Sequence, residues 1–595
     1  MRLVLVLLGL VTFVTPLAAQ NDSVLRRAMQ DELARSMQGL HLDTMPRPYF
    51  IAYRIDESDV LTVAASRGSL LHRNGTRGRV LTVEVRVGDY TFDNTNFFAM
   101  PTGSDFVVLE GGWEGRNAEI PLDDDYGVLR RQLWLATDIA YKEALEQYSR
   151  KRAAQTGSGH TPALPDFSRD SVATTTDTIS APAPSADAAI ALARQLSLLL
   201  RDAHEIEQSE VSVTAQRQRT IYLNSEGSSF TRSLPNATVR VDAVTRTADG
   251  MPLGETWTAR AATVSDLPSP DSLSAATRGL VTTLIRRRAA VTADVYHGPV
   301  LLSGAAAAQV FRSVIGSRLI AVRRPTSDIP AFEAMAARHQ DPFLDELGAR
   351  VLPKFLSVSD NPTLTTFAGH FVGGFRVDDD GVRTHETRIV DHGILKTLLS
   401  TRVPVRGVPS SSGNRHEDRP VVSTMIVTPD SGLPDAALRQ RLLSLVAERG
   451  LPYGIIVRRV GGAALSTMDN PFAMMAGMAE RMQGTPSFET SEAVRLYPDG
   501  HEEQIRGATV ADLSLPAFRD IVAASRTQTV YSAASLIPDL PAEVPAFFRI
   551  RAALGYPSTY VVPDLLFEEL SVKPTGDEVP PRPVVPPPWA NAHSP

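Results

Sequence analysis

The 595-residue chain contains no cysteine. It can therefore form no disulfide bond, and no thiolate is available as a nucleophile or as a metal ligand. A block of basic residues is also missing, as is any stripe in which basic and aromatic residues alternate. With a formal net charge of −7, the sequence gives no reason to expect nucleic-acid binding.

Long apolar runs are missing beyond the first residues, so no later segment is expected to span a membrane. At the start, Arg2 precedes the uncharged and mostly apolar run 3–16, and the small residues Ala18 and Ala19 come before Gln20. This order of positive, apolar and small residues is typical of a secretory signal peptide. The sequence therefore predicts an exported protein, in the periplasm or outside the cell, without stable membrane insertion.

The remaining chain has the composition of a folded protein, with 43% apolar and 21% charged residues. Its length exceeds what one core organises, so at least two domains are expected. Helical spacing and strand alternation both occur, which predicts an α+β fold. The predicted division is a signal peptide at 1–19, an N-terminal α+β portion at 20–154, a flexible Ser/Thr/Pro-rich linker at 155–186, the second part of the N-terminal domain at 187–295, a β-rich C-terminal domain at 296–571 and a Pro-rich tail at 572–595.

Several turn and strand motifs follow one another from Asn224 onward. They are the turn Asn224-Ser225-Glu226-Gly227, the strand and helix start at His297–Ala306, the paired hairpins around Asp380-Gly381 and His392-Gly393, and the late hairpin around Asp499-Gly500. In order and content these segments resemble the TldD/PmbA family of peptidases. The region 21–167 resembles the family only loosely.

The resemblance implies two large α+β portions, the later one a β-sandwich-like domain, and dimers that enclose a cavity. One subunit type of this family, TldD, is a zinc peptidase that acts on unfolded or partly cleaved peptides. The other type, TldE or PmbA, is its relative without the metal site. The resemblance therefore predicts a protein related to peptidases, and the zinc motif decides between the two types.

Catalytic members carry His-Glu-x-x-x-His on the helix after a Gly-Pro-Val-Leu strand, and a cysteine near the C-terminus completes their zinc site. Here Ile315-Gly316 matches the Ile-Gly often found inside that motif. On this alignment Arg312 replaces the first histidine, Ser313 the glutamate and Ser317 the second histidine. A permanent positive charge at Arg312 would repel a dication. We therefore predict no catalytic residue, metal ligand or cofactor in this chain, and expect zinc in catalytic relatives only.

Other side chains leave alternatives open. Histidines of one β-rich stretch could assemble a metal site, although surface or turn positions are the simpler interpretation. These histidines are His370, His385, His392 and His416. The acidic run Asp378–Asp380 beside Gly381 predicts a solvated hairpin turn, with calcium binding as the alternative.

The leading functional hypothesis is a catalytically silent, TldE-like subunit that pairs with a homologous TldD-like subunit or with itself. It would contribute the wall of a chamber and bind peptides, with Arg312 as the candidate peptide-binding residue. Two alternatives belong to other classes: an active hydrolase with a non-standard metal site, and a stand-alone peptide-binding protein of the cell envelope. Zinc content, peptide turnover and the presence of a TldD-type partner distinguish the three.

Overall fold

A computed structural model gives the fold of the chain. It describes residues 17–98, 117–158, 164–178, 182–329, 343–417, 419–461, 487–532 and 558–575. Within these residues the strands form one sheet of seven strands in the N-terminal half and one of twelve strands in the C-terminal half. Three further strand pairs are too short to form layers of their own.

In the residues that the structure describes, the N-terminal half combines four α-helices with long antiparallel strands. Its helices are α1 (Leu17–Gly39), α2 (Tyr126–Ser158), α3 (Ala186–Leu198) and α4 (Pro270–Arg288), and its strands are β1 (Pro48–Ser66), β2 (Ser69–Val87), β3 (Phe97–Phe98), β4 (Asn117–Glu119), β5 (Thr174–Thr178), β6 (Gln208–Asn224), β7 (Ser229–Arg246) and β8 (Pro252–Ala261). The strand order in the sheet is β4-β2-β1-β6-β7-β5, and β8 pairs with β7.

Helices cover one face of this sheet. Side chains alternate between the two faces of a strand. Ile51 and Tyr53 of β1 therefore lie on one face of the sheet, and Phe50 lies on the other. Ile51 and Tyr53 are buried in a core with α1 and α2. Further along β1, Leu61 and Val63 lie on the same face and pack against α3 and α4. The long strands therefore carry two helix pairs side by side.

The opposite face of the N-terminal sheet contacts the C-terminal half. Phe50 and Ala52 of β1 and Tyr222 of β6 form a buried cluster there, together with Phe167 and Val377. Val377 belongs to the C-terminal half of the chain. The two halves are therefore joined through an apolar cluster on the face of the first sheet opposite α1 to α4.

The C-terminal half is rich in short strands. Its strands are β9 (Val291–Thr292), β10 (Tyr296–Leu302), β11 (Thr326–Ser327), β12 (Leu356–Asp360), β13 (Thr366–Phe367), β14 (His370–Phe371), β15 (Thr387–Asp391), β16 (Ile394–Leu395), β17 (Arg415–His416), β18 (Arg419–Pro420), β19 (Thr424–Pro429), β20 (Gly454–Val460), β21 (Phe488–Leu496), β22 (Glu502–Arg506), β23 (Ala508–Ala511), β24 (Ile521–Ser532) and β25 (Thr559–Pro574). Its helices are α5 (Ala305–Val314), α6 (Asp435–Glu448) and α7 (Leu515–Arg519), and a 3-10 turn, Gly316–Arg318, follows α5.

Five strands of the second sheet close into a ring. Strand β25 pairs with β10, β10 with β20, β20 with β21, β21 with β23, and β23 again with β25. Val300 and Leu302 of β10 are buried in the core that includes α5. The intervening residue Leu301 packs instead with α6. Because neighbouring residues of a strand face opposite ways, α5 and α6 cover opposite faces of this sheet.

The structure confirms the α+β class, the β-rich C-terminal half and several predicted turns. Gly227, Gly381, Gly393 and Gly500 all adopt a positive φ, between 76° and 101°, a conformation that glycine tolerates without steric cost. Asp125 caps α2, because its side chain accepts a hydrogen bond from the amide of Val128 at 2.9 Å. No helix in the described residues has the length and apolarity needed to cross a membrane.

Three predicted boundaries differ from the structure. Residues 174–178 of the predicted linker 155–186 form β5, which pairs with β7, and Phe167 of the same segment is buried. Small polar residues suggested a solvated linker, but backbone pairing with β7 holds them. Residues 572–574 of the predicted tail continue β25, and α1 begins at Leu17, within the predicted signal peptide 1–19. Residues 1–16 of the predicted signal peptide and 576–595 of the tail lie outside the described residues.

Candidate functional site

Helix α5 carries the positions that align with the zinc motif. The chain turns into it at Gly304, where φ is 58°. The carboxylate of Asp564 on β25 holds this turn, because it accepts hydrogen bonds from the hydroxyl of Ser303 at 2.7 Å and from the amide of Gly304 at 2.8 Å. A carboxylate at a helix N-terminus is stabilising. Ser303 therefore has a structural role at the start of α5.

Arg312 lies in the last turn of α5 and is half-buried. Its guanidinium donates a hydrogen bond to the phenol of Tyr560 on β25. In the part of the chain that the structure describes, no carboxylate lies within ion-pair distance of Arg312. By contrast, the buried Arg232 and the half-buried Arg415 are each held by an aspartate. A guanidinium without a carboxylate partner keeps N–H donors for an anion.

A row of side chains crosses the sheet next to the end of α5. Asp360 of β12 lies opposite Met425 of β19, Met425 opposite Tyr560 of β25, and Tyr560 opposite Tyr531 of β24. Residues directly opposite on neighbouring strands point to the same face. Gly316 follows α5 and touches this row, because a Cβ at Gly316 would lie 2.6 Å from Cε1 of Tyr560. The motif segment therefore lies directly on the row.

Burial sets the protonation of both acids in the row. It raises the pKa of the Tyr560 phenol, although Arg312 partly offsets this, so the phenol stays protonated. Burial also raises the pKa of Asp360 to about 7, against hydrogen bonds donated by the Asn414 side-chain amide at 2.7 Å and the Ser423 backbone amide at 3.0 Å.

The residues at the motif positions do not fit zinc. Catalytic zinc needs three nitrogen, oxygen or sulfur ligands and a carboxylate beside the bound water. Arg312 offers no lone pair, and Ser313 is an exposed hydroxyl; the side chain of Ser317 lies outside the described residues. Nowhere in the described ranges do three His, Asp or Glu side chains converge as a metal site requires.

The four candidate histidines do not come together. His370 and His385 are exposed, and His392 occupies a turn where its Nδ1 lies 2.9 Å from Oδ2 of Asp430. His416 is half-buried, with Nδ1 3.5 Å from Oδ2 of Asp379. Burial lowers the pKa of His416, although Asp379 opposes this. The surface or turn interpretation holds for three of the four, and His416 belongs to the contact between the two halves.

The acidic run Asp378–Asp380 was predicted as a solvated hairpin, and this prediction is wrong. The turn is present, since the amide of Gly381 donates to the carbonyl of Asp378 at 3.1 Å, but all three aspartates are buried. Gly381 fits against the N-terminal sheet, where an added Cβ would meet Ser228 at 2.9 Å and Tyr222 at 3.0 Å. The turn is therefore inserted into the contact between the two halves.

Arginines of the N-terminal sheet neutralise this turn. Asp379 accepts hydrogen bonds from Arg54 of β1 at 2.7 Å and from Arg232 of β7 at 2.6 Å. Burial alone would raise the pKa of Asp379, but the two guanidinium groups hold it well below its usual range. Burial and the neighbouring charge of Asp380 raise the pKa of Asp378 to about 8. Direct arginine pairing therefore compensates the charges of Asp379 and Asp380.

Two further arginines of the C-terminal half reach into the N-terminal sheet. Arg402 is buried and binds Glu226 with both nitrogens, at 2.6 and 2.8 Å, while its guanidinium stacks 3.9 Å from the ring centre of Phe167. Arg415 pairs with Asp380 and, at 3.2 Å, with Glu84 of β2. Bidentate arginine pairs fix orientation as well as distance. The motif turn at Asn224–Gly227 thus supplies an anchor for the second half.

Sequence reasoning found Arg312 and the motif turns, but it missed Tyr560, Asp360 and the buried arginines. Tyr560 and Asp360 become neighbours of α5 only through the register of β12, β19 and β25, which no local pattern reveals. The one available signal was the frequency of arginine on the strands of the first sheet. Arg54 lies in β1 and Arg232 lies in β7. A strand with one solvated face has the same alternation of polar and apolar residues, so the pattern does not show that these arginines form ion pairs between the halves.

Two adjacent family models match the chain. Residues 179–293 match the PmbA/TldA metallopeptidase central domain, and residues 298–574 match the PmbA/TldA metallopeptidase C-terminal domain. Together these matches span nearly all of the chain from residue 179 to the end of β25. No curated protein sequence matches the chain.

Solved structures of low sequence identity share the fold. TldE from Thermococcus kodakarensis has a TM-score of 0.57 at 12% identity, covering 92% of this chain and 100% of that one. A Thermotoga maritima protein described as a proposed modulator of DNA gyrase has a TM-score of 0.56 at 14% identity, covering 94% and 100%. A Bacteroides thetaiotaomicron protein with the same description has a TM-score of 0.55 at 13% identity, covering 93% and 99%.

Proposed function

Because this chain belongs to the TldD/PmbA (PmbA/TldA) metallopeptidase family, we propose that it is the metal-free, TldE-like subunit of an exported peptide-degrading assembly. Its partner would be a homologous TldD-like subunit that carries the zinc site. This chain would contribute part of the chamber wall and hold peptide there. The observation that carries the proposal is the replacement of the zinc-binding groups on α5 by Arg312 and Ser313.

The surroundings of Arg312 support a binding role. An arginine kept only for structure would be expected to pair with a carboxylate, as the buried arginines between the two halves do. Arg312 instead donates to the neutral phenol of Tyr560 and has no carboxylate partner among the described residues. Its planar guanidinium matches the two oxygens of a peptide carboxylate, and single N–H groups can also bind peptide carbonyls.

Export is part of the proposal and rests on the N-terminal sequence. Arg2, the apolar run 3–16 and the small residues before Gln20 have the order that the export machinery reads. The complete lack of cysteine is compatible with this, since a large core can stabilise an exported protein without disulfides.

Purification from the native host, through an affinity tag at the C-terminus, tests the proposal. We expect a second chain in stoichiometric amount that contains His-Glu-x-x-x-His, together with zinc and peptide cleavage that a chelator abolishes. We also expect mass spectrometry to show that this chain starts at Gln20. Recovery of this chain alone would overturn the proposal: with its own zinc and peptide cleavage it would be a hydrolase, and without them a stand-alone binding protein. Retention of 1–19 would contradict export.

A further inference from the structure

The outer edge of β2 is unpaired over half of its length in the described part of the chain. Strand β1 pairs with the inner edge of β2 along its whole course. On the outer edge, β4 pairs only with Val80–Thr82, and the amide of Ile120 donates to the carbonyl of Arg79 at 2.9 Å. The backbone from Ser69 to Gly78 therefore offers free N–H and C=O groups on this side, which is a template for another strand.

This stretch is exposed on both faces as well as at its edge. Nearly all side chains from 69 to 77 are exposed, and Leu70 and Leu71 are 36% and 54% exposed. Among the facing residues of β1, those from Leu61 to Ala65 are buried. Native edges are commonly shielded by a proline, a bulge or a covering helix. Residues 69–78 contain no proline, and their register shift lies at Leu71, next to the hairpin turn, which leaves 72–78 in regular pairing with β1.

The edge has a single sign of charge. His72, Arg73 and Arg77 lie along it, and no acidic residue occurs between Arg67 and Glu84. Asp59 lies opposite Arg77 across the pair, but it is bound to Arg217 at 3.3 Å. Arg73 and Arg77 share one face of the strand and are about 14 Å apart at 3.4 Å per residue. The outer edge of β2 is therefore a local cationic strip in a chain whose net charge is −7.

The charge also decides between possible occupants. Two copies of this chain joined edge to edge would bring the same arginines together, and like charges on facing strands are destabilising. An acidic segment would instead place carboxylates beside Arg73 and Arg77. Strand addition derives affinity from the backbone ladder and specificity from alternate side chains.

We propose that the free edge of β2 binds an extended acidic peptide segment, which pairs with residues 69–78 as an additional strand. Carboxylates four residues apart in the peptide would lie on the face of Arg73 and Arg77. The proposal does not depend on Arg312 or on the presence of a zinc-containing partner. It assigns a second peptide-binding surface, on the N-terminal sheet.

A fluorescein-labelled nine-residue peptide tests the proposal by fluorescence anisotropy with the full-length protein. The peptide alternates threonine and valine and has two glutamates four residues apart. We expect saturable binding that the double variant Arg73→Glu, Arg77→Glu weakens at least about tenfold, since two attractive pairs become repulsive. The control Arg278→Glu, Arg286→Glu changes two exposed arginines of α4 by the same charge and should leave binding within about twofold.

Backbone methylation separates strand pairing from simple charge attraction. Alternate amides of an added strand point toward β2, so N-methylation of one alternate set should abolish binding, whereas methylation of the other set should leave it intact. If neither methylation pattern changed the binding, the peptide would be held by charge attraction without strand pairing, and the proposal would be overturned. Absence of binding by the unmodified peptide, or equal loss in the α4 control, would also overturn it.

Discussion

Replacement of Asp379 by alanine is expected to lower the free energy of unfolding by about 3–5 kcal/mol. Asp379 holds Arg54 and Arg232 at 2.7 and 2.6 Å, and its side chain is only 2% exposed. Removing one member of a buried ionic group leaves the remaining charges buried without a partner. The resulting loss of stability is larger than the net contribution of the ion pair to folding. Because both arginines come from the N-terminal sheet, the two halves should also separate more easily.

Urea unfolding, with Asp391→Ala as a matched control, measures this effect. Asp391 pairs with Arg388 at 2.9 Å, but Arg388 is exposed and Asp391 only half-buried, so its loss should cost less than about 1 kcal/mol. Asp379→Asn keeps the shape and should fall between the two variants. If Asp379→Ala were no more destabilising than Asp391→Ala, the buried turn would not hold the halves together.

Peptide affinity is expected to fall by about ten- to hundredfold when Arg312 is replaced by alanine. A hydrogen bond to a charged group contributes about 1.5–3 kcal/mol, and 1.4 kcal/mol corresponds to a factor of ten. The reason lies in the surroundings of Arg312, which has the phenol of Tyr560 but no carboxylate as a partner in the described residues. Arg312→Lys should retain part of the affinity, because it keeps the charge and loses the bidentate geometry.

Fluorescence anisotropy with a labelled, unstructured peptide that has a free C-terminal carboxylate gives the affinity, both for the purified chain and for the assembly isolated from the host. Arg441→Ala is the control, since Arg441 is exposed on α6, which covers the opposite face of the sheet. Unchanged peptide binding and unchanged assembly in Arg312→Ala would show that Arg312 is not part of a binding surface.

Local features of this protein could be predicted from its sequence because their causes are local. The turn at His392-Gly393 depends on two residues that tolerate positive φ, and the cap of α2 depends on one carboxylate next to the first turn. The assignment of Arg312 and Ser313 to positions of the zinc motif likewise follows from an alignment within one short segment. Turns, helix caps and short motifs each depend on a few residues that are neighbours in the sequence.

Features that depend on distant segments could not be predicted. Three adjacent aspartates before a glycine usually indicate a solvated turn, and nothing near Asp379 in the sequence reveals that Arg54 and Arg232 neutralise it. The same holds for β5, whose threonine-rich sequence resembles a linker until it pairs with β7. The row from Asp360 to Tyr560 needs the pairing of three strands that are separated by long stretches of chain.

The zinc content of the purified chain tests the central claim most directly. The protein would be prepared without a histidine tag, dialysed against excess zinc, freed of unbound metal and measured by mass spectrometry of the elements. With Arg312 and Ser313 at the motif positions, we expect far less than one zinc per chain. One tightly bound zinc per chain, removed only by a chelator, would contradict the account of a metal-free subunit.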